Sequence, residues 1–241
     1  MKKFTFIVSL LTMLCCTATA QLDNNFRLGG QISPSYTWLG INDKVASSDG
    51  GRLGMKLGMT GDFYFAENYS LSTGIGFSFA NGGTIKQSKG GQFWRKSDLE
   101  KEEYHHVAAG GKFDYKLQYV EIPFSLKMRT SEFGYIRYFG EIPIITLGIV
   151  TQARGAIDGD IKTEKENIYN SVGALNLSWG LGGGVEWGMT SNTALVAGLY
   201  YQQGFTDVTR DGEKHTLYDD NTWDNSKATL RSITLRIGVL F

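Results

Sequence analysis

Cysteine is nearly absent from this sequence: of its 241 residues only two are cysteines, and both, Cys15 and Cys16, lie among the first 20. After residue 20 the chain therefore offers no disulfide and no cysteine ligand for a metal ion. An excess of charge is missing as well, because 24 basic residues balance 24 acidic ones. Since nucleic acids attract proteins through basic surfaces, we expect no nucleic-acid partner.

Long apolar runs are also missing, since no segment after residue 20 approaches the roughly 18 apolar residues of a membrane-spanning helix. Proline is rare, with only Pro34, Pro123 and Pro143, whereas glycine occurs 31 times and aromatic residues make up 13% of the chain. Glycine and aromatic residues together suit strands and tight turns better than helices. The composition indicates an all-β protein.

The first 20 residues have the pattern of a secretory signal peptide. Two lysines and an apolar stretch that ends at Cys16 precede the small residues Ala18-Thr19-Ala20, which are typical of a cleavage site. We predict cleavage between Ala20 and Gln21. Residues 1–20 are then the signal peptide, and residues 21–241 form one domain.

Apolar and polar residues alternate along residues 117–129. The apolar parity holds Val120, Ile122, Phe124, Leu126 and Met128, and the other parity holds Glu121, Ser125, Lys127 and Arg129. Because successive side chains of a strand point to opposite faces, this strand has one apolar and one charged face. Similar alternation begins near residues 26, 53, 69, 135, 175, 193 and 232, so we predict eight strands.

The predicted connections alternate in length. Short turns lie near residues 66–68, 130–134 and 190–192, and long loops near residues 40–52, 80–116, 151–171 and 205–227. Outer-membrane barrels have short periplasmic turns and long extracellular loops. We therefore predict an eight-stranded antiparallel up-and-down transmembrane β-barrel in the outer membrane, with both termini in the periplasm. A soluble β-sandwich, which would bury the apolar faces between two sheets, is the alternative.

Aromatic residues concentrate near the predicted strand ends, where they would form girdles at the two membrane interfaces. These residues are Tyr36, Trp38, Phe63, Phe65, Tyr69, Trp187 and Phe241. A barrel built in this way has membrane lipids and lipopolysaccharide as its surroundings. We also expect the barrel-assembly machinery to contact the C-terminal strand that ends at Phe241.

The charged parity of the predicted strands would face the lumen. It contains Arg27, Lys56, Asp62, Glu121, Lys127, Arg129, Arg137, Glu141, Glu186 and Arg236. An eight-stranded barrel is just wide enough for side chains to fill it, so we expect a network of ion pairs that plugs the lumen. A narrow pore for small solutes is the alternative.

Two of these charges are related by the hairpin between the fourth and fifth strands. Glu121 and Glu141 are equally distant from residue 131 in the predicted turn, so we expect them to face each other. Two close carboxylates raise each other's pKa unless bases intervene. We expect Lys127, Arg137 and Arg236 to neutralise them together with Glu186.

The predicted loops contain the residues that could carry other chemistry. They are His105, His106, His215, Ser97 and Asp98 for a lipid-modifying enzyme, and Asp207, Asp211, Asp219, Asp220 and Asp224 for a calcium ion. No HExxH or EF-hand spacing is present, so we assign no catalytic residue, no cofactor and no metal site. The loop 80–116, with Phe93, Trp94 and Tyr104, is the best candidate for a partner surface.

Several segments resemble one known family. The stretch Tyr-Val-Glu-Ile-Pro-Phe-Ser-Leu-Lys at 119–127, a small-residue signal followed by Gln21, a glycine-rich sixth strand and the terminal Ile-Gly-Val-Leu-Phe are similar to the PorT-like outer-membrane β-barrel family of Bacteroidota. From the predicted filled lumen and the absence of a catalytic motif we predict a non-enzymatic protein of the outer membrane with a structural or adhesive role. Because PorT itself is implicated in type IX protein secretion, the resemblance implies a partner in a secretion or envelope complex.

Overall fold

A computed structural model describes residues 25–42, 45–190, 192–210 and 227–241, so the predicted signal peptide and cleavage site lie outside the described residues. The strands are β1 (Phe26–Ile41), β2 (Ala46–Ala66), β3 (Tyr69–Gln87), β4 (Gly91–Gln92), β5 (His106–Val107), β6 (Lys112–Arg129), β7 (Ile136–Asp158), β8 (Lys162–Asn167), β9 (Leu175–Gly188), β10 (Ala194–Gly204) and β11 (Ala228–Leu240). Two short 3₁₀ turns span Glu102–His105 and Tyr169–Ser171. Within the described ranges, no helix has the length and apolar character needed to cross a membrane.

Eight of these strands form one closed ring. Each pairs antiparallel with its neighbours in the order β1, β2, β3, β6, β7, β9, β10, β11, and β11 pairs with β1 again. The remaining strands are accessory, since β4 pairs with β5 and β8 extends a hairpin from β7. This ring confirms the predicted eight-stranded up-and-down barrel. Closure leaves the ring without a free edge, which a bilayer requires.

The outer wall of the ring is apolar. Large exposed side chains follow one another along its strands, including Ile32, Leu57, Ile75, Phe124 and Leu199. An exposed apolar surface that encircles a protein needs an apolar solvent. The arrangement excludes the β-sandwich, in which the same side chains would be buried between two sheets.

The two ends of the barrel differ. We call the end where β2 joins β3, β6 joins β7 and β9 joins β10 the short-turn end, and the opposite end the long-loop end. At the long-loop end β2, β3, β6 and β7 continue through residues 46–52, 80–87, 112–116 and 151–158. The sequence had placed these residues in loops, and that assignment was wrong.

Apolar side chains fill the lumen at the long-loop end, and we call this cluster the apolar plug. Its main members are Leu39, Ile85, Trp94, Val107, Phe113, Tyr115, Leu117, Tyr119, Val150, Ile157, Ile168, Val172, Val208 and Leu230. Trp94 is only 5% exposed, and its indole nitrogen donates to Tyr115 Oη at 3.0 Å. The predicted partner surface on loop 80–116 is therefore wrong for Trp94, which belongs to the interior.

The three prolines interrupt strand pairing, Pro34 and Pro123 on one side and Pro143 on both sides. The β1–β11 pairing skips residues 33–34, and the β3–β6 pairing skips residues 122–123, because Pro34 and Pro123 have no N–H to donate. Pro143 lies within a register shift between β7 and β9. Only Pro143 therefore lies at a bulge, whereas Pro34 and Pro123 lie inside their strands.

Candidate functional site

The lumen below the apolar plug is lined by charged and polar side chains, which form three groups. The group nearest the short-turn end is centred on Lys127 of β6. Its Nζ lies 2.7 Å from Asp62 Oδ2 of β2 and 2.5 Å from Glu186 Oε1 of β9. β2 and β9 are not neighbours of β6 in the ring, so Lys127 joins three separate parts of the wall.

Other side chains also contact the carboxylates of Asp62 and Glu186. Ser72 Oγ donates to Asp62 Oδ1 at 2.6 Å, while Arg27 and Arg129 lie 3.7 and 4.0 Å from Glu186 Oε2. Neither Glu186 oxygen accepts a hydrogen bond from a described residue. Glu186 is 2% exposed, so neighbouring cations hold it mainly by charge.

The second group surrounds Glu141 of β7. Its carboxylate accepts hydrogen bonds from Ser125 Oγ at 3.1 Å, Tyr200 Oη at 2.9 Å and Arg236 Nη1 at 2.8 Å. The Arg236 guanidinium also lies 3.9 Å from the centre of the Tyr200 ring, within the range of a cation–π contact. One carboxylate thus organises β6, β10 and β11.

A glycine makes room for this arrangement. Gly182 is directly opposite Tyr200 in the β9–β10 register, and a Cβ placed on Gly182 would lie 2.1 Å from the Tyr200 ring. An aromatic ring that covers a glycine on the adjacent strand is a known means of stabilising sheets. The glycine-rich sequence of β9 therefore positions Tyr200 beside Glu141.

The third group is formed by Lys56 and its acceptors. Lys56 Nζ lies 2.9 Å from Glu121 Oε2 and 3.0 Å from Gln202 Oε1. Gln202 Nε2 in turn donates to Thr146 Oγ1 at 2.8 Å. β2, β6, β7 and β10 are joined across the lumen by this chain of contacts.

Nine of the ten charged residues predicted for the lumen belong to these groups. Arg137 does not, because its side chain pairs with Glu132 in the turn at a distance of 2.8 Å. These two side chains are 35% and 44% exposed, so the pair is much more open to solvent than the lumen groups. The uncharged partners Ser72, Tyr200 and Gln202 were not predicted. They occupy the alternate strand positions that face the lumen, and this pattern could have identified them from the sequence.

The expected contact between Glu121 and Glu141 is wrong. Lys127 lies opposite Glu141, whereas Glu121 lies opposite Gly148. The hairpin is centred near residue 134 and not residue 131, because Arg129 pairs with Phe139, and the register shift between residues 125 and 127 of β6 adds only one residue to this offset. Each glutamate therefore has its own cation, Lys56 for Glu121 and Arg236 for Glu141.

The candidate catalytic residues in the loops have structural contacts. His105 Nδ1 lies 2.9 Å from the carbonyl oxygen of Phe93, His106 Nε2 lies 3.2 Å from Gln92 Nε2, and Ser97 Oγ lies 2.8 Å from Ser171 Oγ. His105 is buried, although the sequence places it in a loop. His215 lies outside the described residues.

The described residues contain no cluster of three or more side chains suited to a metal ion. Of the candidate calcium ligands, Asp207 accepts hydrogen bonds from the backbone of Thr209 and Ala228 at 3.0 Å. It therefore fixes the chain beside β11. The other four candidate aspartates lie outside the described part of the chain.

One ion pair at the long-loop end joins the rims of β2 and β6. Lys112 Nζ lies 2.7 Å from Asp49 Oδ2. This hydrogen bond holds the pKa of Asp49 below its usual value and that of Lys112 above it. Both groups are exposed, so the pair contributes little to stability.

The predicted interface aromatics lie on the outer wall. Tyr36 and Trp38 are 5.9 Å apart near the long-loop end. At the short-turn end Phe65 stacks on Tyr69 at 6.3 Å, and the exposed side chains there also include Phe63, Trp187 and Phe241. Trp38 alone is half-buried.

A closed eight-stranded ring with an apolar outer wall and a charged lumen defines a transmembrane β-barrel protein of the outer-membrane type. Residues 19–210 match the family model described as the outer membrane protein beta-barrel domain. The chain therefore belongs to this family and is a protein of the outer membrane. No curated protein matches the sequence.

Solved barrels of varied function are similar to this chain. Neisserial surface protein A is 15% identical with a TM-score of 0.45, covering 90% of this chain and 96% of that one. Ail, the attachment invasion locus protein of Yersinia pestis, solved in complex with a heparin analogue, is 13% identical with a TM-score of 0.36, covering 90% and 99%. The outer membrane protease OmpT of Escherichia coli is 10% identical with a TM-score of 0.37, covering 92% and 99%. These likenesses do not decide the role of this chain.

Proposed function

We propose that this chain is a non-enzymatic, non-conducting barrel, which serves as a structural or adhesive component of the envelope or as an accessory to a secretion complex. The observation that carries the proposal is the filled lumen. The apolar plug occupies the long-loop end, and ion pairs cross the lumen below it. A solute would have to break both the apolar plug and the ion pairs, and His105 and His106 are already engaged in contacts within the protein.

The same proposal includes the orientation and the partners. The long-loop end faces the cell exterior and both termini face the periplasm, as the pattern of short turns and long loops in outer-membrane barrels supports. β11, with the exposed Phe241 after it, presents the C-terminal strand to the barrel-assembly machinery. The resemblance of residues 119–127 supports a PorT-like protein of Bacteroidota with a secretion or envelope partner.

The purified protein should not conduct ions. In planar bilayers that contain the inserted barrel, we expect no stepwise current above that of the protein-free bilayer, because the plug and the ion pairs leave no continuous path. A porin from the same preparation serves as the positive control for insertion. Discrete, reproducible current steps from the unmodified barrel would favour the narrow pore instead.

The orientation can be read from single cysteines, because the predicted mature chain contains none. Lys101→Cys places a thiol in the exposed β4–β5 region of the long-loop end, and Glu67→Cys places one in the exposed β2–β3 turn. A maleimide that cannot cross the outer membrane should label Lys101→Cys in intact cells and leave Glu67→Cys unlabelled. Both variants should be labelled after lysis. The opposite labelling pattern in intact cells would invert the proposed orientation.

A further inference from the structure

A charged groove lies on the outside of the barrel at the long-loop end. Its volume is about 390 Å³, and its charged lining residues are Arg52, Asp114, Lys116, Arg154, Glu164 and Lys165. Four of these side chains are basic and two are acidic. The groove therefore has a net positive charge although the whole chain is neutral.

The basic side chains of this groove are poorly compensated by the protein. Arg52 pairs with Asp114, but among the described residues Lys116, Arg154 and Lys165 have no ion pair. Lys116 lies directly opposite Arg154 in the β6–β7 register. Like charges directly opposite each other destabilise a sheet, so an anion bound between them would remove an unfavourable interaction.

The backbone at Lys165 is also unusual. This residue has a φ of +63°, in the left-handed region that residues other than glycine rarely adopt. Residues 164–165 bulge out of the β7–β8 pairing, in which Glu166 pairs with Gly155 and Thr163 with Ile157. Such conformations cluster at ligand-binding sites. Here the bulge brings a third cation to the groove.

The height of the groove above the apolar wall suits a lipid headgroup. Val120 and the exposed Ile149 are the last apolar pair facing outward on β6 and β7, and Lys116 and Arg154 follow beyond the pair of Gln118 and Gln152. The four residues from Val120 to Lys116 span about 13 Å along a strand. With the usual tilt of barrel strands, the rise is about 10 Å, which long basic side chains can bridge by reaching back towards the interface.

We propose that this groove binds the phosphate groups of a phosphorylated lipid of the outer leaflet, the lipid A part of lipopolysaccharide. Basic side chains beside a membrane attract anionic headgroups, and arginine and lysine are the usual partners of phosphate. The inference rests on the proposed orientation, because only the exterior position of the long-loop end exposes the groove to lipopolysaccharide.

The test measures lipid A retention by the purified full chain in neutral detergent micelles, by native mass spectrometry. Bisphosphorylated lipid A is compared with the same lipid after removal of both phosphates. We expect Lys116→Gln/Arg154→Gln/Lys165→Gln to bind the bisphosphorylated lipid about tenfold more weakly than the unmodified barrel, since each basic side chain contributes to headgroup attraction. The dephosphorylated lipid should bind both proteins equally weakly.

The matched control removes three exposed lysines from the same end outside the groove. Lys86→Gln/Lys101→Gln/Lys162→Gln changes the net charge equally and should leave binding within about twofold of the unmodified barrel. Equal losses in both triple variants would overturn the proposal. If inorganic phosphate at millimolar concentration displaced the lipid completely and bound as well by itself, the groove would be a site for free phosphate instead.

The labelling experiment and the lipid-binding experiment test the proposed orientation and the proposed lipid A site independently. Both ends of the barrel are accessible in micelles, so lipid binding there does not depend on the orientation. Cysteine labelling in intact cells does not depend on the groove. Heat-modified electrophoretic mobility, which should be the same for all the variants, shows that each triple variant is still a folded barrel.

Discussion

The substitution Lys127→Ala is expected to lower the free energy of unfolding of the barrel by about 3–5 kcal/mol, because it leaves buried carboxylates without their shared cation. Asp62 loses its ion pair with Lys127 and keeps the hydrogen bond from Ser72. Glu186 keeps only the more distant Arg27 and Arg129. Urea-dependent folding and unfolding in phospholipid vesicles, followed by tryptophan fluorescence, measures the change.

Two further variants test whether the loss of a buried charge causes the destabilisation expected for Lys127→Ala. Arg137→Ala removes a partly exposed ion pair with Glu132 from the same hairpin, and such pairs contribute about 0–1 kcal/mol. The double substitution Lys127→Met/Asp62→Asn removes a cation and an anion together, so it should be less destabilising than Lys127→Ala. If Lys127→Ala and Arg137→Ala had the same small effect, the lumen network would not stabilise the barrel.

The sequence predicted the ring because the membrane imposes a simple pattern on each spanning strand. Along residues 120–128 of β6 the apolar side chains face lipid and the polar ones face the lumen. The other strands of the ring alternate in a similar way, although β7 and β10 also turn apolar residues such as Ile144 and Val196 inward. Parity alone therefore gave the number of strands, and the lengths of the connections gave their up-and-down order.

The pattern inverts where the strands leave the apolar belt, and for that reason their extensions were missed. On β6 the inward residues Phe113, Tyr115, Leu117 and Tyr119 are apolar and buried, while outward residues such as Lys116 are polar and exposed. Alternation continues, but its polarity is opposite to that of the spanning segment. Treating these residues as loops also hid Lys116 and Arg154, and with them the charged groove.

The charges of the lumen could be predicted from parity, but their pairing could not. Partners such as Lys127 and Glu186 come from strands that are not adjacent. The β6–β7 hairpin is centred near residue 134, three residues later than the sequence suggested, and this offset separates its two glutamates. A shift of a single residue changes every cross-strand neighbour. Only the three-dimensional structure fixes which cation meets which carboxylate.

The substitution Gly182→Val is expected to destabilise the barrel by about 3 kcal/mol, because overfilling a packed interior has a cost of this size. A Cβ at this position would lie 2.1 Å from the Tyr200 ring, so the ring has to move. Its hydroxyl would then lose Glu141, and its face would lose the contact with Arg236. The same urea titration in vesicles measures the effect.

The matched control is Gly30→Val on β1, where a Cβ would meet no atom within 4 Å, so we expect a change of less than about 0.5 kcal/mol. In a Tyr200→Ala background the ring is gone, and Gly182→Val should then have only a small additional effect. A double-mutant cycle therefore isolates the contact between residue 182 and the ring. If Gly182→Val were equally destabilising with and without the Tyr200 ring, backbone strain in β9 would be the cause, and the glycine would not serve to position Tyr200 beside Glu141.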